Sequence, residues 1–577
     1  MKTFKNKLWG AVFLLSLLAC ISLKASSNNP ISANSEDDKT IQKIIELAIS
    51  DNRTMEHLDI LTNRFGGRPL GSDAYSNAAD WCVSKFKEWG LEVYKQEVGE
   101  YQVGFNRGPW FGRLIGGSGG AQGNYVPGIA GVSLHFATPS YTSGTKGIQR
   151  GHALKEPKTR AEFERMKRAL KGAWVLISGE SSGWPIDYTA KGDSIRAEII
   201  NKNEAIMKQN AQIEEYNESL EQMKKTEEGR KKLKTLKAKA LIPLISEPAL
   251  FYKEMRDAGI LGIIQSARVP IVALYDRKNI NTMTFNTLPT LPDIKLDSEQ
   301  YALISKMIDR REYFQLEFDI RNYFKMGPVK YHNVIGIMRG TDFPNEYVIS
   351  GGHLDAFDVA SGGVDCGSGI TPTIEAARLL SASGAKPKRT ILFCLWAGEE
   401  FGLLGSKFFV ENGFTNGNTA GMLANISNYF NRDGGPTVPV GITVTDAMYE
   451  DFVKVCAPIN KIKNYVENAP RGTKASEYNY FPFEVKRRLT EPRPIPKNAG
   501  GSDHAYFLMS GVPTIGFQTA DPKGYNFSYG EIWHTERDTY DKSIAEYQEH
   551  TSTVNAIVLY GIANLDHLLN RDNLFKF

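Results

Sequence analysis

Carboxylate and imidazole side chains that could bind metal recur in glycine-flanked motifs of the second half of the chain. These motifs occupy residues 351–355, 362–369, 396–400, 431–435, 500–504 and 533–535. Histidine nitrogens and carboxylate oxygens are common zinc ligands, and flanking glycines let the backbone approach an ion closely. One imidazole with carboxylates at strand ends, and a second imidazole on a late loop, favour a zinc pair sharing one carboxylate. Such a pair suits amide hydrolysis, which needs an activated water and a stabilised oxyanion.

Each motif taken alone is weak evidence for a metal site. A single histidine is more often a hydrogen-bonded structural residue than a ligand, and adjacent glutamates such as Glu399 and Glu400 usually mark a solvated turn. The agreement of several glycine-flanked motifs within one domain favours the metal site over these alternatives.

Alternating strands and helices must position these motifs. The apolar pattern predicts strands over 334–338, 347–350 and 390–396, and helices over 371–380 and 402–412. Unbroken apolar strands between amphipathic helices indicate a sheet covered on both faces and at least partly parallel. Ligands of such sheets bind beyond the carboxyl ends of the strands, where the motifs fall. The predicted fold class is α/β, with a mixed, largely parallel sheet sandwiched by helices.

The 577 residues are enough for two to four compact units. Residues 39–104, with predicted helices over 39–62 and 75–89, are interpreted as the N-terminal part of the catalytic domain, which resumes at 328–577. Between them, residues 105–327 change to glycine-rich turns and short β-like runs, which predicts an inserted β-rich domain.

A helical excursion over 195–240 is predicted within the inserted domain, and Gly229 could break it into a hairpin. Its basic stretch from Lys224 to Lys239 is interpreted first as a solvated helix face, with binding of an acidic partner as the alternative.

The first residues have the pattern of an export signal. Lysines precede an apolar run over 8–18 that is too short to span a membrane, so we expect a signal peptide over 1–25. The sequence up to Cys20 resembles a lipoprotein cleavage site, and ordinary cleavage near Ala25 is the alternative. Residues 26–38 are predicted to be a flexible tether. We therefore expect a periplasmic protein, an outer-membrane lipoprotein or a secreted protein.

Composition narrows the classes of partner. The formal net charge of +4 gives no electrostatic footprint for nucleic acid. The five cysteines have no CxxC spacing, which argues against a disulfide framework and a thiolate zinc site. We expect a peptide substrate, no nucleic acid, and membrane contact only through a possible lipid anchor at Cys20; the oligomeric state stays open.

The motifs resemble a known enzyme family. HLDAFDVASGGVDCGSG and LWAGEEFGLLGS, within residues 353–406, look like the co-catalytic zinc exopeptidases, which include bacterial leucyl aminopeptidases and carboxypeptidase Q. RPLGSDAYSNAADW, GGSDHAYF and WHTERDTYD fit the same family. The resemblance covers about 39–100 and 328–577, and residues 105–327 resemble the protease-associated domain that such enzymes carry.

The resemblance implies two zinc ions per chain and a ligand set for each. His353 and Asp433 would bind one ion, Glu400 and His534 would bind the other, and Asp365 would bridge both.

Three further residues receive roles from the same resemblance. Glu399 would be the general base, and Asp355 would orient the imidazole of His353. His504 would donate a hydrogen bond to the oxyanion or, alternatively, only fix its loop.

Two positions depart from the family pattern or leave its alignment open. Asn428 could replace Asp433 as ligand if the alignment slips, although an anionic oxygen binds zinc better than an amide oxygen. Cys366 stands where the family usually has Asp or Asn, as a small buried residue or as a thiolate contact to metal.

The predicted function is hydrolysis of peptide bonds at chain ends, through a metal-bridged water and a glutamate base. Aminopeptidase or dipeptidase activity is favoured because no arginine cluster accompanies the metal motifs; Arg389 and Arg432 are the nearest in sequence. The alternatives are a carboxypeptidase of the same fold, a glutaminyl cyclase-like transferase and a non-catalytic, receptor-like binding protein.

Overall fold

The structure is a computed structural model of the 577-residue chain. It describes residues 36–116, 131–186, 190–223, 236–239, 249–275, 277–414, 419–489 and 491–576. The predicted signal peptide, most of the tether, Gly229 and most of the basic stretch lie outside these ranges. No helix in the described ranges combines the length and apolar character that crossing a membrane requires.

Fifteen α-helices occur in the described residues. They are α1 (Glu36–Ser50), α2 (Thr54–Asp59), α3 (Asp73–Glu88), α4 (Arg160–Leu170), α5 (Ala190–Met223), α6 (Tyr252–Asp257), α7 (Arg277–Thr282), α8 (Ser298–Asp309), α9 (Gly367–Ser383), α10 (Leu404–Asn412), α11 (Thr419–Ala424), α12 (Tyr449–Asn468), α13 (Lys474–Glu477), α14 (His504–Met509) and α15 (Ala545–Ala563). A π-helical turn (Ile60–Phe65) follows α2.

Sixteen β-strands occur in the same ranges. They are β1 (Glu92–Ile115), β2 (Val132–Ser133), β3 (Phe136–Ala137), β4 (Gln149–Lys155), β5 (Ala173–Glu180), β6 (Gly262–Ala267), β7 (Asp293–Asp297), β8 (Gln315–Met338), β9 (Phe343–His353), β10 (Arg389–Trp396), β11 (Ile426–Asn431), β12 (Val438–Thr445), β13 (Glu484–Arg488), β14 (Arg493–Pro494), β15 (Phe517–Ala520) and β16 (Phe575–Lys576).

One large mixed sheet organises the chain, in the order β11-β9-β10-β8-β4-β5-β6-β7-β3. Strands β11, β9 and β10 are parallel, and β10 pairs antiparallel with β8. A second parallel run joins β4, β5, β6 and β7. The predicted mixed α/β sheet with helices on its faces is therefore confirmed.

Strand β10 shows that helices cover both faces of the sheet. All eight of its residues are buried. Alternate side chains point to opposite faces of a strand, so Phe393 packs in the core with α9 and α15, and Leu392 packs in the core with α10 and α14. Strand β5 shows the same division, with Trp174 on one face and Val175 on the other. Both parallel runs are thus α/β layers.

A long antiparallel ribbon of β1 and β8 joins the two parallel runs. Each strand has 24 residues, and their pairing extends from Glu92 with Ile337 to Ile115 with Gln315. The domain boundaries expected at 104/105 and 327/328 fall inside these two strands.

Three sequence expectations differ in detail from the structure. The helix expected over 39–62 is divided into α1, α2 and the π-helical turn. The excursion expected over 195–240 begins earlier, as the single helix α5 (Ala190–Met223). The helix expected over 402–412 begins two residues later, because Leu403 has a left-handed φ of 60°.

Candidate active site

The carboxyl ends of three neighbouring parallel strands place the first site residues. Strand β9 ends at His353, β10 is followed by Glu399 and Glu400, and β11 is followed by Asp433. Because β9 lies between β10 and β11 in parallel register, these side chains meet at one edge of the sheet. The predicted position of the site at the strand ends is thus what the structure shows.

Two clusters, each made of one imidazole and one carboxylate, meet at Asp365. The Nε2 atom of His353 lies 3.2 Å from Asp365 Oδ1 and 3.3 Å from Asp433 Oδ1. The Nε2 atom of His534 lies 3.1 Å from Glu400 Oε2 and 3.5 Å from Asp365 Oδ2. Asp365 therefore offers one oxygen to each group, which is the arrangement expected of a bridging carboxylate.

The donor set fits two zinc ions. In a tetrahedral site with metal–ligand distances of about 2.0 Å, neighbouring ligand atoms lie about 3.3 Å apart. The four distances around Asp365 bracket that value. In addition, Asp365 Oδ2 and Glu400 Oε1 are buried without a hydrogen-bond partner, and buried carboxylate oxygens of that kind need a compensating cation.

The electrostatics of the site also favour cations. Burial, reinforced by the neighbouring carboxylates, raises the pKa values of Glu399 and Glu400 well above their ordinary range. Burial opposes a charge on His353, but the surrounding groups, Cys366 and Asp433 first among them, raise the pKa of its imidazole. The raised pKa values favour the protonated forms of Glu399, Glu400 and His353. They show that the buried carboxylates have too little positive charge around them.

The contacts of Asp355 differ from the expected contact with His353. The Nδ1 atom of His353 is 2.9 Å from the main-chain oxygen of Asp355 but 3.7 Å from its carboxylate. The carboxylate instead accepts hydrogen bonds from the backbone N–H groups of Gly398, Glu399 and Glu400. Asp355 thus holds the main-chain turn that presents the two glutamates, and its backbone fixes the imidazole.

Asn428 lies outside this cluster of imidazole and carboxylate side chains. Its side chain accepts a hydrogen bond from the Ile515 N–H and donates one to the Ile515 carbonyl. The structure therefore brings Asp433, and not the alternative Asn428, to His353.

Cys366 is buried beside the same group. Its sulfur, His353 and Asp433 offer atoms that all lie within 4.8 Å of one another. The thiol contacts the Arg432 carbonyl oxygen at 3.4 Å, and the Asp365–Cys366 peptide bond is cis.

Two positioning residues were not singled out from the sequence. Arg68 is fully buried and donates hydrogen bonds to main-chain oxygens on both sides of the loop after β9, including those of Leu354 and Ser361. Asp538 accepts hydrogen bonds from the backbone N–H groups of Val364 and Asp365. Burial raises the pKa of Asp538 to about 7. Both residues lie in the quoted family motifs, which was the available signal.

The 105–327 region supports the loop that carries His534. The backbone N–H of Ala273 donates to the His534 carbonyl, and the N–H of Glu536 donates to the Ile271 carbonyl. His534 has a left-handed φ of 61°, which costs a non-glycine residue about 1–2 kcal/mol. The flanking hydrogen bonds hold this conformation.

Aromatic rings extend the same support. Tyr275 stacks on Phe401 with ring centroids 3.9 Å apart and contacts Phe357 at 5.2 Å. The ring of Phe357 lies 4.4 Å from that of His534.

A cleft of about 960 Å³ opens over the site. Its walls include the carboxylates of Asp365, Glu399, Glu400 and Asp433, and no lysine or arginine among the described residues. His504 also lines the cleft, and burial lowers the pKa of its imidazole. The cleft therefore has a strongly acidic floor.

The model of peptidase family M28 matches residues 333–558. The chain is 25% identical over 354 residues to carboxypeptidase Q of Xenopus laevis, covering 58% of this chain and 65% of that protein. It is 31% identical over 256 residues to a glutamate carboxypeptidase 2 homolog of Caenorhabditis elegans, covering 42% of this chain and 28% of that one. The chain thus matches less than two thirds of the length of the carboxypeptidase Q relatives.

The fold is also similar to a solved structure. The crystal structure of a peptidase M28 precursor from Shewanella amazonensis matches 93% of this chain and 99% of that chain, with 18% identity and a TM-score of 0.50. This likeness concerns the fold alone.

Proposed function

We propose, from the premise that residues 333–558 form a domain of peptidase family M28, that the protein is a zinc-dependent exopeptidase. The observation that carries this proposal is the pair of imidazole and carboxylate groups joined by Asp365, beneath a cleft large enough for a peptide end.

The metal-holding residues follow from the distances given above. His353 and Asp433 would hold one zinc ion, His534 and Glu400 would hold the second, and Asp365 would contact both. Zinc in such a site polarises a carbonyl oxygen and lowers the pKa of a bound water.

Glu399 is the proposed general base. It lines the cleft next to Glu400, and its backbone N–H is held by the Asp355 carboxylate. Its carboxylate would accept a proton from the attacking water and pass it to the leaving amine.

His504 and Tyr529 are the proposed donors toward the substrate carbonyl oxygen. Both line the cleft. Burial lowers the pKa of His504 and raises that of Tyr529, so both are neutral at pH 7 and carry a proton to donate.

The absence of lysine and arginine from the described walls of the cleft favours substrates with a free α-amine. A C-terminal carboxylate at the reacting end would need a cationic side chain to receive it, whereas an amine does not. We therefore propose aminopeptidase or dipeptidase action.

Product analysis on unblocked and blocked peptides tests the proposal. The purified protein should release N-terminal amino acids from unblocked peptides, fail on N-acetylated ones, and lose activity with a chelator until zinc is restored. Glu399→Gln should lower kcat by about 100-fold or more while zinc content stays at two per chain.

Glu411→Gln is the matched control, because Glu411 is an exposed residue of α10 that faces Lys407. It should leave kcat unchanged. Equal cleavage of acetylated peptides would contradict the aminopeptidase assignment, and full activity of Glu399→Gln would contradict the assigned base.

A further inference from the structure

A second cavity of about 270 Å³ adjoins the catalytic cleft. Thr514 and Gly516 belong to the walls of both. The other walls come from β12, β13, β14 and β15, from Leu508 of α14, from Ile515 and from the chain at β16. Small-molecule pockets begin at about 300 Å³, so this cavity admits a single side chain or chain end rather than a longer peptide segment.

The charge of this cavity is opposite to that of the cleft. Its described walls contain two arginines, Arg488 and Arg493, and no carboxylate. The neutral polar side chains of Thr443 and Gln518 also line it. A cationic recess therefore shares part of its wall with the acidic cleft.

The arginines of the recess lack acidic partners among the described residues. The Arg488 Nε atom is buried with no hydrogen-bond partner, and so is the hydroxyl of Thr445, its register partner on β12. By contrast, Arg487, the preceding residue of β13, pairs with Asp446 and Glu450. The buried Nε–H of Arg488 is therefore a donor available to a ligand oxygen.

We propose that this arginine recess (Arg488 and Arg493 with Thr443 and Gln518) binds a carboxylate of the peptide substrate. The inference rests on the proposed function, since it names the substrate class of the same site. Guanidinium groups hold carboxylates through paired, charge-assisted hydrogen bonds. A short peptide with its amine over the acidic floor and a carboxylate in the recess satisfies both charges.

The carboxylate could be the C-terminus of a short peptide or an acidic side chain, and substrate pairs separate the two sources. Ala-Ala against its C-terminal amide tests the chain end. Ala-Glu-amide against Ala-Gln-amide tests the side chain.

Arg488→Gln and Arg493→Gln are the test variants, and Arg487→Gln is the matched control. For the carboxylate-bearing member of one pair, each test variant should raise KM by about 10- to 100-fold, the range for loss of a charge-assisted hydrogen bond, with kcat nearly unchanged. The neutral member and the control variant should show no change. Arg493 is exposed, so its variant decides the matter if Arg488→Gln does not fold.

A binding measurement separates this proposal from the proposed function. Titration calorimetry of the metal-free protein with glutarate should show binding that Arg488→Gln and Arg493→Gln weaken and Arg487→Gln does not. If the wild type hydrolyses no peptide, the proposed function fails while the glutarate result still judges the recess. The proposal would be overturned if KM stayed unchanged for both substrate pairs, or if glutarate bound both arginine variants as tightly as the wild type.

Discussion

Replacing Tyr275 with alanine tests whether the 105–327 region helps to build the proposed metal site. Tyr275 is 1% exposed and stacks on Phe401, which follows Glu400 in the chain. It also contacts Phe357, whose ring packs on the imidazole of His534. The tyrosine thus supports, from two sides, residues of the proposed second zinc position.

Two magnitudes follow from these contacts. Truncation of a buried aromatic side chain costs about 3–5 kcal/mol, because a cavity replaces its packing. We therefore expect the free energy of unfolding to fall by about 4 kcal/mol. Loss of a group that supports a metal ligand weakens metal binding by about 10- to 100-fold. We expect about tenfold at the second position, since the support is apolar contact rather than a hydrogen bond.

Urea unfolding of the metal-free protein and zinc titration against a competing chelator measure the two effects. Tyr313→Ala is the control, because Tyr313 belongs to the same region and is 71% exposed. Tyr275→Phe keeps the ring and should retain zinc affinity. A Tyr275→Ala protein that loses stability yet binds both zinc ions with wild-type affinity would show that the region only packs beside the site.

Three more perturbations probe other contacts. Arg107→Ala leaves the Asp358 carboxylate, which is 5% exposed, without its ion-pair partner, so the free energy of unfolding measured in urea should fall by about 3–5 kcal/mol. The Arg107→Ala/Asp358→Ala variant should recover part of this loss, and a loss below about 1 kcal/mol would contradict the prediction. Burial raises the pKa of Glu156 from 4.5 to about 7, so the native state keeps a proton that the unfolded chain releases between these pH values, and stability should fall as pH rises through that window. Glu156→Gln should remove this contribution of about 3 kcal/mol, and identical pH profiles of the two proteins would exclude it. At Gly352 an added Cβ would lie 2.3 Å from the carbonyl oxygen of Arg432, the residue before Asp433. Gly352→Ala should therefore lower the free energy of unfolding by about 1–3 kcal/mol and weaken zinc binding. Gly500→Ala, where the Cβ meets open space, should change neither quantity, and equal behaviour of the two variants would refute the steric argument.

Local patterns predicted the elements around the site well. The strand predicted over 390–396 is β10 (Arg389–Trp396), because an apolar run of that length has one stable environment, between two helical layers. The helix predicted over 371–380 is longer, α9 (Gly367–Ser383). Its first turn contains Gly367 and Gly369, which have low intrinsic helix propensity, so local sequence did not predict this start.

Contacts between distant parts of the chain could not be predicted from the sequence. Arg68 reaches the Leu354 carbonyl across 286 positions, and the backbone near Ile271 pairs with that near Glu536. No local periodicity encodes such pairs, since they join residues that are far apart in the chain. For the same reason the hydrogen bond of His353 to a main-chain oxygen, rather than to the Asp355 carboxylate, could be learned only from coordinates.

The charges of the acidic floor and of the arginine recess act together on a bound peptide. Carboxylates cluster where the strands end, and burial pushes Glu399 and Glu400 toward their protonated forms, so the folded chain alone leaves the site short of positive charge. Zinc that binds the folded chain and not the unfolded one must therefore add to stability as well as to reactivity. Once two cations occupy the floor, its field toward a substrate becomes less negative, and discrimination between peptide ends shifts to groups outside it. Arg488 and Arg493 line the adjoining recess, so under the proposed function the recess, more than the proposed metal ligands, should decide which peptides the protein prefers.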